Sequence, residues 1–437
     1  METFKRKSDI EKMRISNFIC FLMFILISSV TSTLANDPNY QMSQETFTVT
    51  LVAAENGSYS IDPKIPSDGK VEAGTVLTVK ATPALDYSLD AIYYTVKGGM
   101  WGTTSYESFA PTMKITVTKD MLIGATFVES KLVDNINVTH NVVFAKPGIK
   151  PLKYDVYSPL RSGSGQAPGA KNLPCIVIIH GGGWSSNNED IMRGLARELV
   201  KGGRYVVFSI DYRWMNKLDG EAKPTHMHQL IEDVFGAIAH IQENAKKYGA
   251  DANRIAVTGD SAGGHLSAAA ATLSPLIGNG GFGQRDSVYQ YLPSYIPKGK
   301  SIDQVKKEIT NAVKTVAPSY GPFHASDFKG FLEQKDDKSY LDAISPFEYV
   351  PNVSERALPH FIVRGTADPI VPNAVVQPYV DALQKAGQKV EYIQVEGAGH
   401  AFFDWKPDAT TRSTFAQLGV KYADAMRTFF DGVFYKS

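Results

Sequence analysis

The sequence predicts an α/β fold with a mainly parallel sheet, preceded by a small all-β domain. Segments between about residues 45 and 128 read as strands throughout, whereas strands alternate with helices after about residue 132. Alternation of this kind builds a parallel sheet that helices cover on both faces. The length of 437 residues also exceeds one ordinary domain. We therefore expect a leader over residues 1–35, an all-β domain over 36–130 and an α/β domain over 131–437.

The composition argues against a nucleic-acid partner. Lys plus Arg and Asp plus Glu number 45 each, so the formal net charge is zero. A neutral protein lacks the electrostatic field that attracts it to polyanions. The hydrophobic content of 43% is sufficient for an ordinary packed core, which excludes a wholly disordered chain.

The first 35 residues have the layout of a signal peptide. Basic residues between positions 5 and 14 precede an apolar stretch at 18–27. Small residues at positions 33 and 35, the two that a signal peptidase reads, predict cleavage after Ala35. The alternative is an uncleaved anchor, but the apolar stretch is short against the ~20 residues that span a bilayer. We expect a secreted, periplasmic or cell-surface protein. Cleavage removes Cys20 and leaves Cys175, which we predict to be a small buried residue opening a strand.

The all-β domain shows no convergent set of polar residues that would carry chemistry. Its predicted strands lie at 47–52, 75–81, 91–96 and 114–118 and are rich in β-branched residues. The pattern over residues 66–83, closing on 124–128, resembles a repeat-type β module common on bacterial surface and secreted proteins. That resemblance implies a spacer or an adhesive part that contacts polysaccharide or a surface. We expect that deleting residues 36–130 spares the chemistry of the α/β domain.

A serine lies where a predicted strand turns into a helix. Gly259-Asp-Ser-Ala-Gly263 directly follows the strand at 254–258 and precedes an Ala-rich segment at 268–272. A serine exposed on such a turn needs glycine on both sides, because larger side chains collide where the backbone doubles back. The next helix directs its N-terminal amides toward developing negative charge. This pattern predicts Ser261 as a nucleophile; the alternative is a Gly-rich turn with an incidental serine.

A glycine-rich loop follows another strand, at His180-Gly-Gly-Gly-Trp184. Successive glycines let backbone N–H groups approach a substrate oxygen, as an oxyanion hole requires. The candidate donors are the N–H groups of Gly182, Gly183 and Ala262. A phosphate-binding loop would add a Lys with Ser or Thr, or a dinucleotide spacing, and neither is present.

Two further residues complete a catalytic set. Asp368 follows the strand at 361–364, and His400 follows the strand at 390–395. The order Ser, Asp, His along the chain is that of an α/β-type serine hydrolase. His400 would take the proton of Ser261 and return it to the leaving group, while Asp368 orients the imidazole and stabilises its charged form.

Residues from roughly 135 to 435 resemble the α/β-hydrolase superfamily. The two glycine motifs, at 180–184 and 259–265, resemble those of hormone-sensitive-lipase-like esterases, and many bacterial acetylxylan and feruloyl esterases are similar there. The resemblance implies an α/β-hydrolase fold and a serine carboxylesterase that forms an acyl-enzyme, with no cofactor and no metal. Together with export and the β module, it favours acetyl or feruloyl esters of plant polysaccharide such as xylan. The alternatives are a secreted serine peptidase or amidase, or a non-catalytic adhesive protein on a hydrolase scaffold; an intact triad argues against the latter.

Two tryptophans and one long segment bear on substrate binding. Trp184 and Trp405 flank the oxyanion loop and the His400 loop, so either ring could stack on a sugar or aryl group. Core packing is the alternative for both rings. Residues 275–307 are longer than a minimal connection and indicate an insertion or a lid.

Other polar residues near the motifs receive structural interpretations. His265 is expected on the helix after the nucleophile as a structural residue. His226 and His228 stand two apart before a helix and would diverge on it, which disfavours a shared metal ion. Asp260 has no role that follows from the sequence.

Overall fold

A computed structural model describes residues 45–98, 102–160 and 172–435. The predicted signal peptide lies outside these ranges. No helix within them combines the length and the apolar character that crossing a membrane requires.

The first domain is an all-β sandwich, as predicted. Its eight strands are β1 Thr46–Leu51, β2 Gly57–Asp62, β3 Lys70–Glu72, β4 Val76–Pro83, β5 Tyr87–Lys97, β6 Thr103–Ser108, β7 Thr112–Thr116 and β8 Met121–Glu129. Five of them form one sheet in the order β3-β1-β8-β5-β6, and the other three form a second sheet in the order β2-β4-β7. Alternate residues of β4, Leu77, Val79 and Ala81, are buried and meet Ile92 and Ile123 of the larger sheet. Period-two alternation therefore builds a core between two sheets.

The second domain is built on an eight-stranded sheet. Its strands are β9 Ile136–Ala145, β10 Leu152–Pro159, β11 Leu173–Ile179, β12 Val206–Ile210, β13 Ala250–Asp260, β14 Val313–Ser319, β15 His360–Gly365 and β16 Val390–Val395. They lie in the order β16-β15-β14-β13-β11-β12-β10-β9. The pairs that involve β9 and β10 are antiparallel, and every pair among the other six strands is parallel. The predicted mainly parallel sheet is confirmed.

Helices cover both faces of this sheet. They are α1 Arg193–Val200, α2 Met227–Asn244, α3 Ala262–Thr272, α4 Ile302–Ala312, α5 Lys338–Ala343, α6 Asn373–Lys385, α7 Ala409–Thr414 and α8 Val420–Phe434. Side chains of β11 alternate between two cores: Cys175 and Val177 join the cluster with α2, whereas Ile176 and Ile178 join the cluster with α1 and α8. The strand is continuously apolar because both of its faces are covered. Cys175 is fully buried at its start, as predicted.

The segment expected to be an insertion or a lid packs against α2. Leu292 N donates to Glu232 Oε1 over 2.9 Å, and the hydroxyl of buried Tyr291 donates to the carbonyl of Ala343 over 2.7 Å. A Cβ added to Gly236 would lie 2.4 Å from Ser294 Oγ, so the helix and the segment approach closely. These contacts pack the segment against α2 and the end of α5, and its function as an insertion or a lid stays a prediction.

A buried ion cluster joins the two domains. Asp90 on β5 accepts hydrogen bonds from Arg193 Nε at 3.1 Å and from Arg197 Nη2 at 2.6 Å. Arg193 also bonds Glu107 Oε2 at 2.6 Å, and Trp405 Nε1 donates to Asp90 Oδ2 at 2.9 Å. Burial alone would raise the pKa of Asp90, but the two guanidinium groups hold it well below its usual range. The all-β domain therefore packs against the α/β domain through buried charged groups, and its expected role as a spacer or an adhesive part stays a prediction.

Candidate active site

Ser261 occupies a strained turn between β13 and α3. Its φ of 53° and ψ of −117° lie where residues other than glycine are disfavoured. Its N–H donates to the carbonyl of Ser319 on the neighbouring strand β14 over 3.0 Å. A Cβ at Gly263 would lie 2.0 Å from the Ile179 carbonyl oxygen, and one at Gly259 would lie 2.3 Å from the Gly263 oxygen. The two glycines are needed because three backbone segments meet around this serine.

Ser261, His400 and Asp368 form one hydrogen-bonded chain. His400 Nε2 lies 2.8 Å from Ser261 Oγ, and His400 Nδ1 lies 2.7 Å from Asp368 Oδ2. Since a carboxylate can only accept, Nδ1 carries the proton of neutral His400, and Nε2 is free to accept the serine hydroxyl. The three residues follow β13, β16 and β15, so they meet at the carboxyl edge of the parallel sheet.

Asp368 is held in its ionised form. Its other oxygen, Oδ1, accepts the N–H groups of Ile370 at 2.8 Å and Val371 at 3.0 Å. Burial by itself would raise the pKa of Asp368, but the hydrogen bond from His400 and these backbone donors lower it overall. The His400 side chain is 13% exposed, so an external molecule can reach the ring. The site thus combines an accessible base, His400, with a carboxylate, Asp368, that is bonded to the far side of the imidazole ring and stays ionised.

The glycine-rich loop lies against the start of α3. The close approach of Gly263 to the carbonyls of Ile179 and His180 puts the end of β11 next to the first turn of that helix. Gly182 and Gly183 have φ values of 117° and 60°, which side chains disfavour. Within the described ranges, the N–H groups of Gly182, Gly183 and Ala262 bond to no protein acceptor. The arrangement leaves three backbone donors for an incoming oxygen.

The loop that carries His400, called the histidine loop below, is fixed by an aromatic residue that the sequence analysis did not identify. Tyr320 is fully buried after β14, and its ring packs edge-on against His400 with the centroids 5.0 Å apart. Its hydroxyl accepts the N–H of Phe403 over 3.1 Å. Nothing in the local sequence around Tyr320 signals this role, because its partner loop lies about 80 residues downstream.

Of the two tryptophans considered for substrate stacking, Trp184 is buried and Trp405 is partly buried at the interface between the domains. Trp184 is 4% exposed, and its ring lies 4.6 Å from Phe328. Trp405 donates to Asp90 of the all-β domain, and a Cβ at Gly194 of α1 would lie 2.8 Å from its ring. Of the two interpretations open from the sequence, the structure supports packing for both rings.

The remaining histidines have structural surroundings. His265 is fully buried, its Nε2 lies 2.9 Å from the Ile344 carbonyl oxygen, and burial lowers its pKa to about 4. His228 stacks on Phe282 with the centroids 4.5 Å apart, and burial lowers its pKa to about 3. His226 Nδ1 accepts a hydrogen bond from Gln334 over 3.1 Å. None of these contacts belongs to the triad.

One surface group of the described residues has the composition of a cation site. It comprises His324, Asp342 and Glu348, whose ligand atoms lie within 4.8 Å of one another. His324 Nε2 already bonds Glu348 at 3.1 Å, and Lys338 pairs with Asp342 at 2.5 Å. Because these internal pairs use the candidate ligand atoms, nothing here points to a bound cation.

Sequence comparisons relate the α/β domain to known proteins. Residues 165–383, half of the chain, match a family model described as BD-FAE. Esterase LipQ of Mycobacterium tuberculosis is 31% identical over 252 residues, covering 54% of this chain and 52% of the relative. Carboxylesterase NlhH of the same organism is 41% identical over 108 residues, covering 24% of this chain and 31% of the relative. The chain spans about half the length of LipQ and a third of NlhH.

A solved structure agrees with the fold. Thermogutta terrifontis esterase 2 phosphonylated by sarin superimposes with a TM-score of 0.50 at 22% sequence identity. The match covers 69% of this chain and 97% of that structure. At this identity the likeness shows the α/β-hydrolase fold alone.

Proposed function

Because the chain belongs to the BD-FAE family of α/β-hydrolases, we propose that it is a serine carboxylic ester hydrolase. Its serine bonds to its histidine, and the histidine bonds to its aspartate. The observation that carries the proposal is the 2.8 Å contact between Ser261 Oγ and His400 Nε2. A serine hydroxyl is a poor nucleophile until an adjacent base removes its proton. The names of the curated relatives, Esterase LipQ and Carboxylesterase NlhH, favour an ester over an amide.

The geometry supports an acyl-enzyme route. His400 takes the hydroxyl proton as Ser261 Oγ attacks the ester carbonyl carbon. The negative charge on the carbonyl oxygen is met by the N–H groups of Gly182, Gly183 and Ala262. His400 then gives its proton to the leaving alcohol, and the acyl group stays on Ser261. Water, activated by the same imidazole, attacks the acyl carbon and releases the acid.

The proposed substrates are acetyl or feruloyl esters of plant polysaccharide, met outside the cell. Three features support this narrower statement: the signal-peptide layout of residues 1–35, the family and the attached all-β domain. A cavity of about 420 Å³ lies where the two domains meet, lined by hydroxyls such as Thr95 and Ser105 and by Lys406 and Arg412. Hydroxyl and charged groups of this kind can hydrogen-bond sugar hydroxyls, so we propose that a polysaccharide chain contacts this cavity.

Substitution of Ser261 by Ala tests the mechanism. We expect the variant to fold normally and to lose p-nitrophenyl acetate hydrolysis by ~10³-fold or more, because the nucleophile is gone. Ser60→Ala, at an exposed position of β2, serves as the matched control and should keep full activity. Hydrolysis by Ser261→Ala at the wild-type rate would contradict Ser261 as nucleophile.

A direct comparison of polymers tests the substrate. The wild-type protein is incubated with acetylated xylan and with feruloylated arabinoxylan, and released acetate and ferulate are measured. Release of either acid that is lost in Ser261→Ala supports the substrate class. Activity on p-nitrophenyl acetate with neither acid released would leave an ester hydrolase and overturn the polysaccharide proposal.

A further inference from the structure

Asp260 lies directly before the proposed nucleophile but takes no part in the triad. It ends β13, and it is 1% exposed. Its Oδ1 accepts the N–H of Gly181, the first glycine of the oxyanion loop, over 2.7 Å. A Cβ placed on Gly181 would lie 2.7 Å from the other oxygen, Oδ2, so this loop has no room to shift toward the carboxyl group. Asp260 therefore fixes the loop that carries two of the three candidate oxyanion donors.

A second buried carboxyl group meets Asp260 from the histidine loop. Asp404 follows His400 by four positions, is 6% exposed, and is hydrogen-bonded through its side chain to Asp260. Two carboxylates cannot hydrogen-bond to each other unless one of them carries a proton, since both are otherwise acceptors. Burial and the neighbouring Asp404 raise the pKa of Asp260 well above its usual range. Asp260 is therefore the member of the pair that can carry the proton and donate it to Asp404.

One cation and two uncharged phenols surround the pair. Lys406 Nζ lies 3.2 Å from Asp404 Oδ2 at the outer side of the pair. Two fully buried phenols, Tyr212 and Tyr320, interact electrostatically with Asp260, and burial raises the pKa of both well above its usual value, so they carry no charge at neutral pH. The Tyr212 hydroxyl donates to the carbonyl of His180 over 2.9 Å, and this bond also fixes the position of the oxyanion loop.

We propose that Asp260 and Asp404 form a buried carboxyl pair that positions three active-site segments relative to one another. The segments are the oxyanion loop at Gly181, the turn at Ser261 and the loop that carries His400. Asp260 is thus a positioning residue that acts through Gly181 and through Asp404, and it touches no substrate. The inference rests on the ester hydrolase proposed above.

The amide analogue separates this role from simple space filling. In Asp260→Asn, the carbonyl oxygen can accept the Gly181 N–H, and the amide N–H can donate to the Asp404 carboxylate. An amide carries no charge, like the protonated carboxyl group that the raised pKa of Asp260 favours, so this variant keeps both hydrogen bonds of residue 260. In Asp260→Ala, both hydrogen bonds are lost and the oxyanion loop is released from the histidine loop.

The experiment measures kcat and KM for p-nitrophenyl acetate in the wild-type protein, Asp260→Asn and Asp260→Ala, with Ser261→Ala as the inactive baseline. We expect Asp260→Asn to stay within about threefold of wild type, and Asp260→Ala to lose ~10- to 100-fold in kcat with KM little changed, because misplaced oxyanion donors act on the transition state. A methylboronic acid, which forms a tetrahedral adduct with serine, should bind Asp260→Ala more weakly by a similar factor. Asp134→Ala, an exposed aspartate, is the control.

Several outcomes would overturn the inference. Full kcat and full boronate affinity in Asp260→Ala would do so, as would an Asp260→Asn variant as impaired as Asp260→Ala. If Asp260→Ala does not fold, the same comparison is made between Asp404→Ala and Asp404→Asn from the other side of the pair. A wild-type protein without Ser261-dependent ester hydrolysis would overturn the proposed function itself, and the positioning role with it.

Discussion

Four residues around the candidate site have a strained backbone. Ser261, Trp184, Tyr320 and Ala401 all have positive φ, at 53°, 58°, 33° and 63°. Each such residue costs ~1–3 kcal/mol and persists only where its surroundings hold it. Ser261 is held by its bond to Ser319, and Tyr320 by its N–H bond to the Val363 carbonyl over 2.8 Å. The four residues lie on the turn at Ser261, on the glycine-rich loop, directly after β14 and on the loop that carries His400, and all of these segments border the triad.

Buried histidines link the stability of the protein to pH. His360 is fully buried, with Nδ1 2.6 Å from the Leu358 carbonyl oxygen and Nε2 3.0 Å from the Tyr379 hydroxyl. Burial lowers its pKa to about 3, against about 6.5 in an unfolded chain. The unfolded state therefore takes up the proton first, so stability is full above pH 6.5 and is lost as the pH falls toward 3.

Substitution of His360 measures how much this residue contributes to the pH dependence of the free energy of unfolding. Between pH 7.5 and 5 we expect His360 to lower the free energy of unfolding by about 2 kcal/mol in the wild-type protein. In His360→Gln, urea denaturation at the two pH values should show a loss smaller by that amount, since other groups titrate equally in both proteins. An unchanged pH dependence would contradict a neutral buried His360.

At the scale of elements, the site depends on how closely β11, β13 and α3 approach. The Gly263 Cα lies so near the end of β11 that no Cβ fits, and a Cβ at Gly264 would lie 2.7 Å from the Ser319 carbonyl oxygen on β14. The first turn of α3 is therefore wedged between the ends of two strands. This packing brings the N–H of Ala262 beside the oxyanion loop.

Two glycine-to-alanine variants test this element packing. In Gly263→Ala, the new methyl group meets backbone atoms of Ile179, which cannot rotate away, so α3 must shift and ester hydrolysis should fall at least tenfold, with a stability loss of ~1–3 kcal/mol. Gly432→Ala lies in α8 with no atom within 4 Å of the new Cβ, and it should stabilise the protein by ~0.5–1 kcal/mol. Activity and thermal unfolding are measured for both. If both variants keep the same activity and the same thermal stability, the close packing of α3 against the strand ends is contradicted.

At the scale of the whole molecule, the two domains share buried charge. Asp90 contributes from the all-β domain, and Arg193, Arg197 and Trp405 contribute from the hydrolase domain. Removing one partner of such a cluster leaves the others buried without compensation. Because Trp405 lies five positions after His400, the all-β domain also borders the segment that carries the catalytic histidine. We therefore expect deletion of the all-β domain to impair the hydrolase domain, contrary to the expectation from the sequence.

Substitution at Asp90 tests the coupling of the domains without removing any chain. Asp90→Asn leaves two guanidinium groups facing a neutral amide, and we expect a loss of ~3 kcal/mol in the free energy of unfolding. Asp134→Asn, which is exposed in the linker, should change it by less than ~0.5 kcal/mol. Calorimetry should show one transition for the wild-type protein and separate domain transitions for Asp90→Asn. A variant as stable and as cooperative as wild type would show that the cluster does not couple the domains.

Local patterns in the sequence determined the fold class, the all-β domain before it, and the candidates Ser261, Asp368 and His400. Each of these residues follows a strand of a parallel sheet, and strand ends meet at one edge whatever the details of packing. The carboxyl pair, the Tyr320 contact, the packing of both tryptophans and the domain interface were decided only by the tertiary structure. Their partners stand far apart in the chain, up to 315 positions for Asp90 and Trp405, and no local pattern encodes a contact between them. Such contacts are important for stability because a charge or a hydrogen-bond donor that is buried away from water costs free energy unless another group of the protein pairs with it.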